Sequence, residues 1–249
     1  MKKLIFFLSF IFINTSYGQN ITFDFSFIKA EDIGAYDRNL KSKFQKVNQA
    51  YIDAGQILGW HVWKVVNGPQ FPYTHLAVAV YDLDNANEES ESPKWTDLFP
   101  DLTEEELEDW GEKNAKNRKI VFTTQMKNVA EVLQKGVTSY PDIAVCNFMK
   151  AKHGYSKSYE DFEKLNTKSI SPNSLRRGWS LAKRIDNPGT EVSWTHFTVD
   201  WFDKYSDFLK ARSNPSSDWA SDANYKKFMK LRDLTHTVVF RKFIFLNKE

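Results

Sequence analysis

The chain of 249 residues contains a single cysteine, Cys146, which excludes intrachain disulfides. Cys146 sits in the middle of an apolar run, where a thiol reads as buried and inert. Its ten glycines are scattered. No G-x-G-x-x-G or G-x-x-x-x-G-K run occurs, so a phosphate-cradling loop is excluded, and no G-x-S-x-G elbow marks a nucleophilic serine. None of the five histidines, His61, His75, His153, His196 and His236, stands four residues from another, so no helical metal pair is present and no metal site is expected. The acidic stretch from Glu88 to Glu112 lacks the Asp/Asn alternation and central glycine of a calcium loop and reads as a solvated loop and helix face.

Long hydrophobic runs are missing beyond the N-terminus, so membrane insertion of the mature chain is not expected. The N-terminus itself reads as a secretory signal peptide over residues 1–18. Lys2 and Lys3 precede the apolar segment Leu4 to Ile13, which is too short to span a bilayer, and Ser16 and Gly18 suit cleavage before Gln19. Export, periplasmic or extracellular, is therefore expected. The balance of 34 basic against 32 acidic residues, less Lys2 and Lys3, becomes 32 against 32. A neutral mature chain gives no ground for a nucleic-acid partner.

What the chain does contain is a repeat. Tyr73 to Asp82, YTHLAVAVYD, returns as Trp194 to Asp203, WTHFTVDWFD, about 120 residues later. Phe27-Ile28-Lys29-Ala30 returns as Phe148-Met149-Lys150-Ala151, and the Gly59-Trp60 start of one stretch ending in Lys64 returns as Gly178-Trp179 ending in Lys183. The chain is a tandem duplication, with units over 19–130 and 144–249 joined by a linker over 131–143.

Each unit reads as strand, helix, strand, strand, helix, strand. In the first, Phe23, Phe25 and Phe27 alternate with polar residues, and Leu40, Phe44, Val47 and Tyr51 fall at helical spacing. Two strands follow around the turn Asn67-Gly68-Pro69. Thr103 to Glu106 has the form of a capping box for a helix over about 104–116, and Arg118 to Met126 closes the unit. The second copy places strands at Ala144 to Lys150, Trp179 to Ile185, Trp194 to Phe202 and Thr237 to Leu246. Its helices fall near 156–168 and 218–232, and its turn at Asn187-Pro188-Gly189. Arg176 and Arg177 are expected at a helix end.

This order is the ferredoxin-like split unit. With its duplication and Gly-Trp strand starts, the chain resembles the dimeric α+β barrel superfamily, which includes NIPSNAP-type proteins, antibiotic-biosynthesis monooxygenases and chlorite-dismutase-like haem proteins. The resemblance implies an α+β fold in which two tandem ferredoxin-like units close into an intramolecular barrel with helices outside. Closure between chains fits the sequence equally, and the sequence leaves the oligomeric state open. The haem-binding branch implies an axial histidine on a second-half helix, where no candidate stands, so no cofactor is expected.

Alternation divides the doubled strand into an apolar face, Leu76, Val78 and Val80 with Phe197, Val199 and Trp201, expected under helices, and a mixed face expected to line the lumen. That assignment makes His75, His196, Asp24, Asn147 and Asp200, with Trp60 and Trp179 at the wall, the candidate ligand-binding residues. The competing reading makes Thr-His a strand start at which the imidazole hydrogen-bonds to a neighbouring backbone. Trp95, Trp110 and Trp219 are expected to cover the barrel mouth. The resulting function is binding of a small, partly apolar molecule in the lumen, with cofactor-independent catalysis by Asn147 or a lumen histidine as the enzymatic form. The alternative is an interaction module whose barrel is filled by its own side chains.

Overall fold

The computed structural model describes residues 20–66, 71–84, 91–186, 191–213 and 223–248. The signal segment, both hairpin turns and Trp219 lie outside the described residues. The first unit runs β1 (Ile21–Ala30), α1 (Ile33–Asn39), a π-helical turn (Leu40–Phe44), α2 (Gln45–Asp53), β2 (Gly59–Val65), β3 (His75–Asp82), α3 (Trp95–Leu98), α4 (Glu104–Asn117) and β4 (Arg118–Leu133). The second runs β5 (Ile143–Ala151), α5 (Ser156–Asn166), β6 (Arg176–Arg184), β7 (His196–Phe202), α6 (Tyr205–Ser213), α7 (Ala223–Leu231) and β8 (Arg232–Asn247). Helix α4 starts on the expected capping box, with the Thr103 hydroxyl accepting from the Glu106 amide and the Glu106 carboxylate from the Thr103 amide.

The eight strands close into one antiparallel barrel in the order β1-β3-β2-β8-β5-β7-β6-β4. Each unit contributes a four-stranded sheet, and two seams join them, β2 to β8 and β4 to β6. The final strand of each unit is long, 16 residues, because it pairs within its own sheet and then continues across a seam. No edge is left unpaired.

The repeated Gly-Trp motif marks the seams. A Cβ on Gly59 would lie 2.9 Å from the Leu246 carbonyl oxygen and 2.7 Å from Asn247 Oδ1. On Gly178 it would lie 2.6 Å from the Leu133 side chain. The neighbouring strand approaches closely at both seams, so glycine stands there in both halves, at the start of β2 and two residues into β6.

The faces of the sheet are the reverse of the sequence expectation. Phe25, Phe27, Leu76, Val78, Val80, Cys146, Phe148, Phe197, Val199 and Trp201 form one buried cluster with Trp63 and Phe240. Both halves contribute to it, so it lies in the lumen. The mixed face packs outward instead: Ile28, Trp60 and Val62 lie with Tyr36, Leu40 and Ile52 of the first-half helices, and Met149, Trp179 and Leu181 lie with Tyr159 of α5. The physical reason is enclosure. A lumen ringed by strands is shut off from water all round, whereas polar groups on the outer face can reach charged side chains at helix margins.

Arg176 and Arg177 stand on β6, not at a helix end, and Arg176 pairs with Asp200 at 2.9 Å. Trp95 and Trp110 lie away from the lumen, against Phe44 of the π-helical turn, with ring centroids 6.3 and 5.4 Å from it.

Candidate functional site

The Thr-His pairs prove to be latches for helices. In the first half the buried His75 ring faces the Thr74 hydroxyl through Nδ1 at 2.8 Å and donates from Nε2 to Asp37 Oδ1 of α1 at 3.0 Å. Lys64, the end of the Gly-Trp motif, binds the same carboxylate. The second half repeats the arrangement with Thr195, His196, Glu160 of α5 and Lys183, the His196–Glu160 distance being 3.3 Å. Burial pulls the His75 pKa down against the opposing pull of Asp37.

Asn147 and Asp200 meet on the outer face of the second half, where Asn147 Nδ2 donates to Asp200 Oδ2 at 3.2 Å and its Oδ1 accepts from Thr237 at 2.9 Å. Asp24 lies opposite Gln125 on the outer face of the first half, its pKa raised by burial and lowered in part by a hydrogen bond from Gln125. None of the seven expected residues lines the lumen cavity. In both Thr-His pairs the partner of imidazole Nε2 is a carboxylate on a helix outside the barrel, Asp37 or Glu160.

The lumen is closed at one end and hollow at the other. The closed end is stacked with aromatic rings: Phe27 lies 4.9 Å from Tyr73 and 6.1 Å from Phe148, and Phe148 lies 5.0 Å from Trp194 and 4.3 Å from His236. Arg184 covers Phe122 and Trp194 beside them. The other end holds a cavity of about 90 Å³, walled by Phe25, Trp63, Val78, Cys146, Phe197, Val199 and Phe240. At its rim stand Phe23, His61, Glu131, Tyr140, Ser180, Trp201 and Phe245.

Glu131 is the acid of this rim. Its Oε2 accepts from the Tyr140 hydroxyl and from Ser180 Oγ at 3.1 Å, while Ser180 Oγ accepts from Trp201 Nε1 at 2.8 Å. Burial among apolar walls raises the Glu131 pKa above the ordinary 4.5, and its two donors oppose the rise. Among the described residues no hydrogen bond falls on Oε1.

Tyr140 comes from the connector between β4 and β5, which folds back over the rim. The Tyr140 ring lies 4.8 Å from Trp201 and 5.7 Å from Phe245, and Lys242 donates to the Tyr140 carbonyl while pairing with Asp142 at 3.3 Å.

The two seams are no longer alike. Glu131 faces Ser180 across one, whereas at the equivalent position of the other Phe245 faces His61, the rings stacked at 3.7 Å. His61 Nε2 donates to Asn247 Oδ1 at 2.8 Å, and burial lowers its pKa to about 4, leaving the ring neutral near pH 7. One side of the rim is acidic and hydrogen-bonded. The other is aromatic.

No family model matches the chain, and no curated protein matches its sequence. Solved structures do match. A monooxygenase candidate from Lactobacillus acidophilus superposes with a TM-score of 0.54 at 10% identity, over 92% of this chain and 97% of that one. A second from Fusobacterium nucleatum gives 0.55 at 12% identity, over 92% and 94%. An anthrone oxidase-like protein gives 0.57 at 9% identity, over 93% and 94%. The fold is the dimeric α+β barrel. In this barrel one chain supplies both halves, as the eight-strand closure requires.

A haem does not fit the residues present. His61, His75, His196 and His236 stand on strands and His153 in the turn before α5, so no helix carries an axial histidine. The space between the second-half sheet and its helices is filled by Met149, Tyr159, Trp179 and Leu181 with Phe228 and Leu231. At about 90 Å³ the lumen cavity falls below the range of roughly 300 Å³ upward that drug-sized ligands occupy.

Proposed function

We propose that the protein binds a small, flat, mainly apolar molecule with a weakly acidic hydrogen at the rim of the lumen, and that Glu131 accepts that proton. The observation that carries this reading is one carboxyl lining an aromatic cavity, with both of its hydrogen bonds on Oε2 and none on Oε1 among the described residues. A carboxylate whose pKa is raised by burial is the stronger base for it, and a dry wall strengthens its hydrogen bond to a donor. Tyr140 and Ser180 hold the carboxylate in place and spread its charge through Ser180 to Trp201. The neutral His61 adds no charge to the opposite wall.

The cavity size selects a single ring. A dry engineered cavity of about 150 Å³ holds benzene, and this smaller one opens at a half-exposed rim, so a one-ring phenol or enol fits with its acidic group at the rim. Anthrone, in the name of one similar structure, is a flat aromatic ketone with an acidic methylene and belongs to the same chemical class. The N-terminal segment supports the further proposal that the protein acts outside the cytoplasm.

Calorimetric titration with 4-methylphenol tests the reading. Wild type binds it with an affinity that rises with pH as Glu131 ionises, and Glu131→Gln binds weakly with no such rise. No saturable binding by wild type sinks the proposal. It would favour instead an interaction module with a filled barrel, the reading that the aromatic packing of the closed end supports.

A further inference from the structure

Strand β4 carries a bulge between Asn128 and Ala130, and the bulge decides which of its side chains reach the cavity. Asn128 lies opposite Ala182 and Glu131 opposite Ser180, and all four residues line the cavity. The residues between, Val129 and Ala130, pack outward with Trp179 and Leu181. In a regular strand Asn128 and Glu131, an odd number of residues apart, would face opposite sides of the sheet. The bulge makes them successive side chains of one wall.

Strand β8 repeats the bulge with different contents. Lys242 lies opposite Trp63 and Phe245 opposite His61, while Phe243 and Ile244 pack outward. Lys242 is occupied, since it donates to the Tyr140 carbonyl and pairs with Asp142. Asn128 holds the equivalent place on β4, is half-buried, and makes no side-chain hydrogen bond among the described residues. The polar side chains around it are matched: His61 is held by Asn247, Ser180 stands between Glu131 and Trp201, and Cys146 Sγ is directed to the Ala144 carbonyl. Along this wall, among the described residues, Glu131 Oε1 and the Asn128 carboxamide are the groups without a hydrogen bond.

We infer that the lumen ligand carries a second hydroxyl on the same edge of its ring as the acidic one, and that the Asn128 carboxamide hydrogen-bonds to it. This rests on the Glu131 reading and narrows its substrate class. Successive side chains on one face of a strand stand roughly 7 Å apart, so they serve two groups on one edge of a ring and not two at opposite ends. Hydroxyls on adjacent ring carbons bond to each other, so the arrangement that offers both to the wall is the 1,3 one, a resorcinol-type ring or the enol of a cyclic 1,3-diketone. A carboxamide suits a hydroxyl because it can donate or accept. Asn128 is thus a specificity-determining residue, and Glu131 is the base.

The test is calorimetric titration of wild type and Asn128→Leu with resorcinol, hydroquinone and 4-methylphenol. Resorcinol and hydroquinone are isomers whose hydroxyls lie on one edge and at opposite ends. Wild type binds resorcinol about fivefold more tightly than hydroquinone, the worth of one hydrogen bond, and Asn128→Leu loses that preference while keeping its affinity for 4-methylphenol. Asn128→Ala is read in the same way should the leucine variant not fold. A wild type without the preference overturns the inference with no variant needed, and so does a preference that survives the substitution; where 4-methylphenol still binds, the Glu131 reading stands. Equal weakening of all three ligands in the variant also overturns it, because Asn128 would then serve packing alone. If wild type binds none of the three, both readings fail together.

Discussion

Tyr140 donates its hydroxyl to Glu131 across the join of the two halves: the acid ends the first half and the phenol lies in the connector leading to the second. Because a donor stabilises the ionised carboxylate, Tyr140→Phe raises the Glu131 pKa further. The midpoint of pH-dependent 4-methylphenol binding then moves to higher pH than in wild type. An unchanged midpoint would mean that the hydroxyl does not act on the carboxylate.

Glu163 makes stability depend on pH. It is buried, accepts from the Tyr159 hydroxyl at 2.9 Å, and has Arg232, Asp200 and Arg176 as its charged neighbours. Burial raises its pKa from 4.5 to about 7. A carboxyl with a raised folded-state pKa holds its proton more tightly when folded, so its contribution is full below pH 4.5 and is lost as pH rises through about 7. The loss amounts to about 3 kcal/mol. Urea unfolding of Glu163→Gln across that window should lack this decline.

The histidine latches predict a stability effect without a binding effect. Removing His75 takes from Asp37 its buried donor and leaves it only Lys64, and removing His196 leaves Glu160 only Lys183. Each alanine variant should lose about 2–4 kcal/mol and keep wild-type affinity for 4-methylphenol. A selective loss of ligand affinity would return these residues to the binding site. His75 also responds to acid: its pKa is held below 6.5, so its contribution is present above that pH and is lost as pH falls.

The seam glycines differ in what an added methyl meets. Gly59→Ala drives a Cβ against a backbone carbonyl, whereas Gly178→Ala meets the end of the Leu133 side chain, which can turn aside. Gly59→Ala should cost about 1–3 kcal/mol and Gly178→Ala less. Thermal melts of the two variants in parallel decide it.

Element order, duplication and barrel were legible because each rests on a local signal, such as the period of Phe23, Phe25 and Phe27 or the capping box at Thr103. The inside of the barrel was not. Alternation separates two faces but does not say which is enclosed, and Leu76 and Val78 would suit a helix-covered face as well as a lumen. Glu131 escaped notice for a related reason. A bulge between Asn128 and Ala130 changes the phase of β4, so the alternation breaks there and by sequence the acid falls beyond the strand. The remaining signal was a lone charge inside Val129-Ala130-Glu131-Val132-Leu133. Tyr140 gave none, since only the folded connector brings it to the rim.

The single-chain barrel has a consequence for divergence. Where two identical subunits form such a barrel, any change at one seam is copied at the other, so an acid gained on one side of the mouth is imposed on both. Here each seam has its own codons. Glu131 with Ser180 and Phe245 with His61 occupy equivalent places in the two units, and each is free to be a wet contact on one side and a greasy one on the other.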